Sequence, residues 1–167
     1  MILDIKTYPS KILSKKAKKI GVVSAEIKKL ADDMVETLYA KGGVGLAANQ
    51  VGERKRILIY DAGEGPRVLI NPRIFRKRGK QIGKEGCLSL PGLELEIKRP
   101  AKIEFCYLDK EGEKQKQKSE GLAARIICHE IDHLDGKTIL DRISFFKRMA
   151  LKKRLGRLLK KLQSAEK

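Results

Sequence analysis

Histidine, cysteine and tryptophan are scarce in this chain: its 167 residues include two histidines, three cysteines and no tryptophan. Three cysteines are too few for a disulfide framework, and they favour a reducing, cytoplasmic environment. The first residues lack the apolar core of a signal peptide, and no apolar run approaches the length of a membrane span. We therefore expect a cytoplasmic protein with no membrane partner.

Internal repeats, low-complexity linkers and long Pro/Ser-rich segments are also absent. The length then predicts a single domain over residues 1–167 with a substantial core. Apolar residues recur at helical spacing between Ser24 and Gly42, which predicts a first helix. Short strand-like runs follow at Arg56–Asp61, Arg67–Asn71, Ile82–Lys84, Leu93–Arg99, Lys102–Asp109 and Glu113–Ser119. This order predicts an α+β fold, with mostly antiparallel short sheets packed around a central helix that carries H-E-x-x-H, plus a C-terminal helix.

Both histidines lie in one pentad, His129-Glu130-Ile131-Asp132-His133. Positions i and i+4 of a helix share a face, so both imidazoles can reach one metal ion while Glu130 lies beside it. Such a pentad can also arise by chance as an exposed pair. Good helix formers with an apolar face precede it from Gly121, and Gly136 follows where a helix end is expected. Unpaired His and Glu are unfavourable on a largely apolar helix, which favours a metal site.

Two histidines leave a tetrahedral site one protein ligand short. Some zinc proteases supply a third histidine six residues after the second, but that position holds Ile139. The only acids from residue 137 onward are Asp141, close in sequence, and Glu166, near the end of the chain. By elimination, the third ligand is expected to be a cysteine.

The three cysteines differ in how well they could complete the site. Cys128 directly precedes His129 and points about 100° away from it around the helix. Cys106 lies in a strand-like run and is better explained as a small buried hydrophobic residue. Cys87 is flanked by glycines and a proline, which suits a tight turn against a site. Cys87 is therefore the favoured ligand, and an ordinary loop thiol is the alternative.

The glycine-rich segment Gly42-Gly43-Val44-Gly45 has two interpretations from its residues alone. Dinucleotide and P-loop phosphate sites require a strand before the glycines and a helix after them. Here a helix comes before, so a phosphate-binding loop is not expected. A simple turn is the remaining alternative, and the residues alone give Gln50 no function either.

Three separated segments resemble bacterial-type peptide deformylases in residues, order and spacing: Gly43–Gln50, Glu85–Ser89 and His129–Gly136. The resemblance runs over nearly the whole chain, and the three segments together are highly specific. Asn49 stands where this family usually has proline or threonine, and Cys128 stands where it usually has glutamine. Neither position is a ligand or a catalytic residue, so we expect only local changes in packing.

The resemblance implies removal of the N-formyl group from the initiator methionine of nascent peptides, with release of formate. It implies one divalent metal, with Fe²⁺ the usual native ion and Zn²⁺, Ni²⁺ or Co²⁺ as substitutes. The implied metal ligands are Cys87, His129 and His133, the implied general base and acid is Glu130, the implied oxyanion donors are the Gln50 amide and the Leu88 N–H, and the implied substrate-binding residues are Gly43, Val44, Gly45 and Glu85.

The formal net charge of +17 is concentrated near the end of the chain, where residues 137–167 hold 11 Lys/Arg and 2 Asp/Glu. A basic C-terminal helix is predicted at about 143–165. The resemblance implies that this helix docks on the ribosome near the exit tunnel, with no DNA partner, and a solvated face is the alternative. One side of the helix carries the leucines Leu151, Leu155, Leu158, Leu159 and Leu162.

Two rival functions remain on sequence grounds. The first is a zincin-like metallopeptidase, which predicts cleavage of peptide bonds and a third ligand other than Cys87. The second is a basic ribosome-associated protein with a structural metal, which would require four protein ligands around the ion. Metal analysis and a formate-release assay distinguish them.

Overall fold

The computed structural model describes residues 1–165, with side chains described through Arg157. Short 3₁₀ turns lie at Lys11–Ser14, Ala48–Val51 and Ile139–Arg142. The helices and strands are α1 (Ala25–Ala40), β1 (Gly45–Ala47), β2 (Ile57–Tyr60), β3 (Arg67–Arg78), β4 (Gln81–Glu85), β5 (Leu95–Arg99), β6 (Lys102–Leu108), β7 (Lys114–Glu120), α2 (Gly121–Leu134) and α3 (Phe145–Ala165).

A five-stranded antiparallel sheet lies between the first two helices. Its strand order is β1-β2-β3-β6-β7, and β4 and β5 form a separate antiparallel pair. Successive side chains of a strand point to opposite faces. In β2, Ile57 and Ile59 accordingly join the apolar cluster around α1, while Leu58 and Tyr60 join the cluster around α2. All four are buried, so β2 anchors both helices.

The first helix forms as its sequence predicts. The Ser24 hydroxyl accepts a hydrogen bond from the Ile27 N–H, at 3.4 Å, which caps the start of α1. The buried face contains Ala31, Met34 and Leu38, which recur at three- and four-residue intervals. Chain reversal follows at Gly42, whose φ of 64° suits glycine. The turn then delivers the Gly43–Gly45 segment to the sheet.

The α+β class with antiparallel sheets is confirmed, and two strands differ from expectation. The strand expected to end at Asn71 continues to Arg78 as β3. Pro72 lacks the N–H that a sheet ladder requires, but the pairing of β3 with β6 shifts register between Ile70 and Arg73, and this bulge accommodates it. The segment treated as a glycine turn contains β1, in which Gly45 pairs with Tyr60.

The C-terminal helix begins at Phe145, after the Ser144 hydroxyl accepts a hydrogen bond from the Lys147 N–H. Leu155 is buried in a third apolar cluster, and Leu151 packs against that cluster. The side chains of Leu158, Leu159 and Leu162 lie outside the described set. None of the helices described is both long enough and apolar enough to cross a membrane.

Candidate active site

Two histidines of α2 meet one cysteine from the turn that follows β4. His129 and His133 lie one helical turn apart, and their Nε2 atoms are 3.2 Å apart. Cys87 Sγ lies 3.2 Å from His133 Nε2, and the three candidate ligand atoms all lie within 4.8 Å of one another. His133 is buried, while Cys87 is partly exposed. The structure therefore brings together the three residues predicted to bind metal.

A carboxylate holds one of the histidines in a ligating orientation. Glu85 Oε2 lies 2.8 Å from His129 Nδ1, which leaves Nε2 directed at Cys87 and His133. Carboxylates behind a histidine commonly fix its tautomer and orientation in metal sites. Glu85 also accepts from Arg99 and Arg125, so both carboxylate oxygens are engaged. Glu85 was predicted to bind substrate. It borders the cavity, but its carboxylate oxygens contact His129, Arg99 and Arg125.

Gln50 is held by both ends of its side-chain amide. Its Oε1 accepts a hydrogen bond from the Ala47 N–H at 2.8 Å. Its Nε2 lies 3.2 Å from Ser89 Oγ and 3.6 Å from Cys87 Sγ, so the amide donor points at the candidate metal ligands. The Leu88 N–H, in the adjacent turn, donates to no atom of residues 1–165. Both predicted donors are therefore next to the Cys-His-His group.

Glu130 is buried against a glycine of β1. A Cβ on Gly45 would lie 2.9 Å from Glu130 Cδ and 2.8 Å from Ile126 Cγ2, distances too short for any side chain. Glu130 Oε2 is buried and has no hydrogen-bond partner among the described residues. A buried acceptor without a partner is costly, so this oxygen is suited to receive a proton or a donor from a bound molecule.

Burial and neighbouring charges set the pKa values of this site. Burial raises the pKa of Glu130 to about 7. Burial, together with the charge of His129, lowers the pKa of His133 to about 3. Burial opposes the ionised form of Glu85, but Arg99 and His129 outweigh it and lower the pKa of Glu85 to about 2. His133 is therefore a neutral imidazole at pH 7, which metal ligation requires.

His129 is also shifted. Burial alone would lower its pKa, but contacts with Cys87 and Glu85 raise it to about 10. A metal ion at His129 must therefore displace a proton, so metal binding releases protons.

A cavity of about 470 Å³ opens beside the three ligand residues. This volume suits a small organic group or a peptide end. The apolar lining of the cavity includes Val44, Leu122 and Ile126, and its polar lining includes Gln50 and Glu130. Of the predicted site residues, Gly43, Val44, Gly45, Gln50, Glu85, Cys87, Leu88, His129 and Glu130 all border it.

Sequence reasoning missed a buried charge network behind the site. Arg99 is 3% exposed and donates to both Glu85 and Asp132, with 2.5 Å between its Nη1 and Asp132 Oδ2. Arg142 also binds Asp132. The sequence of β5 contains a signal for this network. Leu95, Ile97 and Arg99 are spaced two residues apart and so share the buried face of the strand, where a charged side chain requires partners. Arg125, one helical turn before His129, was missed as well.

The two unusual positions are buried and contribute no ligand. Asn49 Nδ2 donates to the Lys15 carbonyl at 2.6 Å, which fixes the N-terminal segment to the turn. Cys128 lies in the apolar cluster between α2 and the sheet, and burial raises the pKa of its thiol. A neutral thiol in an apolar cluster behaves as a small hydrophobic residue.

Comparison with known proteins decides the family. The sequence profile described as polypeptide deformylase matches residues 2–149. The chain belongs to this family. A peptide deformylase of Acetivibrio thermocellus is 50% identical over 135 residues, covering 81% of this chain and 79% of that protein. The peptide deformylase of Alkalilimnicola ehrlichii is 45% identical over 163 residues, covering 95% of this chain and 92% of the relative.

A solved structure agrees with the sequence comparison. The crystal structure of peptide deformylase from Ehrlichia chaffeensis superposes with a TM-score of 0.90 at 39% identity, covering 96% of this chain and 98% of that one. The family and the enzyme class expected from the sequence are thereby confirmed: this is a metal-dependent hydrolase of the deformylase type.

Proposed function

We propose that the chain removes the N-formyl group from the initiator methionine of nascent polypeptides, with Cys87, His129 and His133 holding the metal and Glu130 moving the proton. One observation carries the assignment of roles. Glu130, which follows His129 in α2, presents a buried, unpartnered carboxylate oxygen and lines the same cavity as Cys87 and His129. A zincin-like peptidase would use a different third ligand, and the position of Cys87 argues against it. A structural metal would require a fourth protein ligand, and the described residues group only three.

The donor set fits a transition metal. One thiolate and two imidazoles favour Fe, Co, Ni or Zn over Mg or Ca. We assign Fe²⁺ as the native ion, with Zn²⁺, Ni²⁺ or Co²⁺ as substitutes, because a soft thiolate suits all four ions and the family resemblance favours iron. When bound, the metal lowers the pKa of water to about 7 and so supplies a nucleophile at neutral pH.

Glu130 accepts a proton from the attacking water and returns it to the departing amine nitrogen. A pKa of about 7 suits both steps, because the carboxylate can take and release a proton near neutral pH. The Gln50 Nε2 and the Leu88 N–H donate to the oxygen that becomes negative when water attacks the formyl carbon. Gly43, Val44 and Gly45 form one wall for the peptide, and only glycine at position 45 leaves room for Glu130.

The roles are tested with Glu130→Ala and Cys87→Ser, using formyl-Met-Ala-Ser and a formate assay on anaerobically prepared enzyme. Glu130→Ala should keep stoichiometric metal and lose roughly 10²–10⁴-fold in turnover, the usual contribution of a general base. Cys87→Ser should lose metal. Glu104→Ala is the matched control, because this carboxylate lies on the outer sheet surface with Arg76. Full turnover by Glu130→Ala would exclude the proposed proton path, and release of formyl-methionine and Ala-Ser in place of formate would identify a peptidase.

We also propose that the enzyme works in the cytoplasm and docks on the ribosome near the exit tunnel through α3. Lys152, Lys153 and Arg157 are exposed on this helix, while Leu155 fixes it to the body of the protein. Reversing these three charges to glutamate should abolish co-sedimentation with ribosomes at low salt and leave formate release unchanged. Equal co-sedimentation of the variant and the wild type would refute docking through α3.

A further inference from the structure

The outer half of the main sheet has an uncovered face made of paired rows of side chains. Arg73 of β3 pairs with Cys106 of β6, which pairs with Lys116 of β7. Residues paired across antiparallel strands share a face of the sheet. The rows on this face, which we call the basic sheet face, are Leu108–Lys114, Arg73–Cys106–Lys116, Arg76–Glu104–Lys118 and Arg78–Lys102–Glu120.

Leu108, in the first row, packs against the apolar cluster around α1, and no described element packs over the other three rows of the basic sheet face. α1 packs on β1 and β2, and α2 packs on the opposite side of the sheet, where Ile103 and Phe105 are buried. The exposed positions of β7 alternate regularly from Lys114 to Glu120, as expected for a strand with one solvated face. Two adjoining grooves run along this surface, and Lys16 and Lys19 border the larger one.

The charge of the basic sheet face is strongly one-sided. It carries seven cationic side chains and only two carboxylates, Glu104 and Glu120. Those carboxylates are already paired, Glu104 with Arg76 at 3.3 Å and Glu120 with Lys102 at 2.7 Å. The remaining cations form no ion pair within residues 1–165: Arg73, Arg78, Lys114, Lys116 and Lys118.

The pattern fits a phosphate backbone. Alternate residues of a strand are about 7 Å apart, so the cations of this face recur at a regular spacing along each strand. Phe75, the unpaired residue of the β3 bulge, is the one exposed aromatic side chain within β3, β6 and β7, whereas proteins that bind single strands stack successive bases on several aromatic rings. Double-helical RNA is recognised largely through its backbone and shape. The scarcity of stacking groups beside so many cations therefore favours a duplex over a single strand.

We propose that the basic sheet face binds the phosphate backbone of double-helical RNA without reading its base sequence. The choice of RNA as the polyanion rests on the proposed function, because nascent polypeptides emerge where structured RNA is concentrated. This surface is formed by β3, β6 and β7, so it is separate from α3 and from the cavity beside Cys87.

The test measures binding of full-length, metal-loaded enzyme to a fluorescent RNA duplex of about 20 base pairs, longer than the roughly 16 that double-stranded-RNA-binding domains span. The face variant is Arg73→Glu/Lys116→Glu/Lys118→Glu. The matched control is Lys11→Glu/Lys41→Glu/Lys98→Glu, which changes net charge equally at exposed positions elsewhere. We expect the face variant to bind more than about tenfold more weakly, and the control to lose less than about threefold.

Salt dependence supplies a second readout. Five to seven phosphate contacts predict a slope of log K against log salt of about −4.5 to −6 for the wild type, and a slope smaller by about 3 for the face variant. Equal losses in the face variant and the control would overturn the proposal, because binding would then follow net charge alone. Stronger binding to polyglutamate or to anionic vesicles than to RNA would also overturn it, in favour of an acidic protein or a membrane.

A native thiol reports on the same surface without mutation. Cys106 is partly exposed and lies between Arg73 and Lys116 in the second of the four rows, while Cys128 is buried. Duplex RNA should slow alkylation of Cys106 and leave the alkylation of Cys87 unchanged, as followed by mass spectrometry. Unchanged Cys106 labelling at saturating RNA would place the RNA elsewhere. Formate release measured on the same samples keeps this result distinct from a failure of the proposed function.

Discussion

The charges behind the metal ligands and the charges of the basic sheet face are the same residue types in opposite settings. Arg99 is 3% exposed and contacts two buried carboxylates, whereas the Lys102 and Glu120 side chains are 66% and 70% exposed. Removing one member of a buried pair leaves an uncompensated charge in a medium that solvates it poorly. An exposed charge keeps its water and is screened by salt. Removing a single buried charge should therefore lower stability measurably, whereas exposed charges should matter mainly through the field that they produce as a group.

The largest expected difference between the two sets of charges is the loss of stability when a buried or an exposed arginine is replaced by leucine. Arg99→Leu removes the cation shared by Glu85 and Asp132, which link β4 to α2. We expect a loss of about 3 kcal/mol in the free energy of unfolding, near the lower end for a broken buried pair, because Arg125 and Arg142 remain. Urea unfolding of the metal-loaded enzyme measures it.

The matched control is Arg78→Leu, on the basic sheet face, where no ion pair is lost within the described residues. Its unfolding midpoint should match that of the wild type. Equal destabilisation by the two leucine substitutions would show that burial does not separate these two sets of charges.

Acid should weaken the buried network around Glu85 only well below neutral pH. The pKa of Glu85 is lowered to about 2 in the folded protein, from about 4.5 in the unfolded chain. Its stabilising contribution is therefore complete above about pH 4.5 and is lost as the pH falls toward 2. About 2 kcal/mol of this contribution should be gone at about pH 3. Glu85→Gln should lose less stability than the wild type between about pH 6 and about pH 3, in guanidinium unfolding.

Glu85→Gln should also loosen the metal site at neutral pH. The substitution keeps the shape of the side chain but removes the charge that orients His129 through Nδ1. Loss of such a supporting carboxylate typically weakens metal binding about 10–100-fold. Competition with a chromogenic chelator measures the affinity, and Glu104→Gln should leave it unchanged. A metal affinity equal to wild type in Glu85→Gln would mean that packing alone orients His129.

The same contrast explains which parts of the molecule the sequence could predict. Local signals identified α1 from Ser24 and its apolar spacing, and the pentad indicated the face of α2 that carries the candidate ligands. Cys87 followed from the count of missing ligands. Arg99 and Arg142 were missed because their partners lie 14, 33 and 10 residues away, and no local pattern encodes such pairings. β1 was missed because its three residues gain their strand geometry only by pairing with β2.

The smallest expected effect is at Glu120, where Glu120→Gln repeats on the surface the substitution made at Glu85. The Glu120 carboxylate binds only Lys102 within the described residues, and its side chain makes no capping bond at the start of α2. Exposed pairs of this kind contribute little to stability, so the melting temperature should not change measurably. Removing a carboxylate from the basic sheet face should nevertheless tighten RNA binding by about twofold, because one more cation is released toward phosphate. A fluorescence titration at low salt resolves that change. A lowered melting temperature with unchanged RNA affinity would contradict this prediction. Glu120 would then contribute to stability, as the buried charges do, and would have no effect on RNA binding.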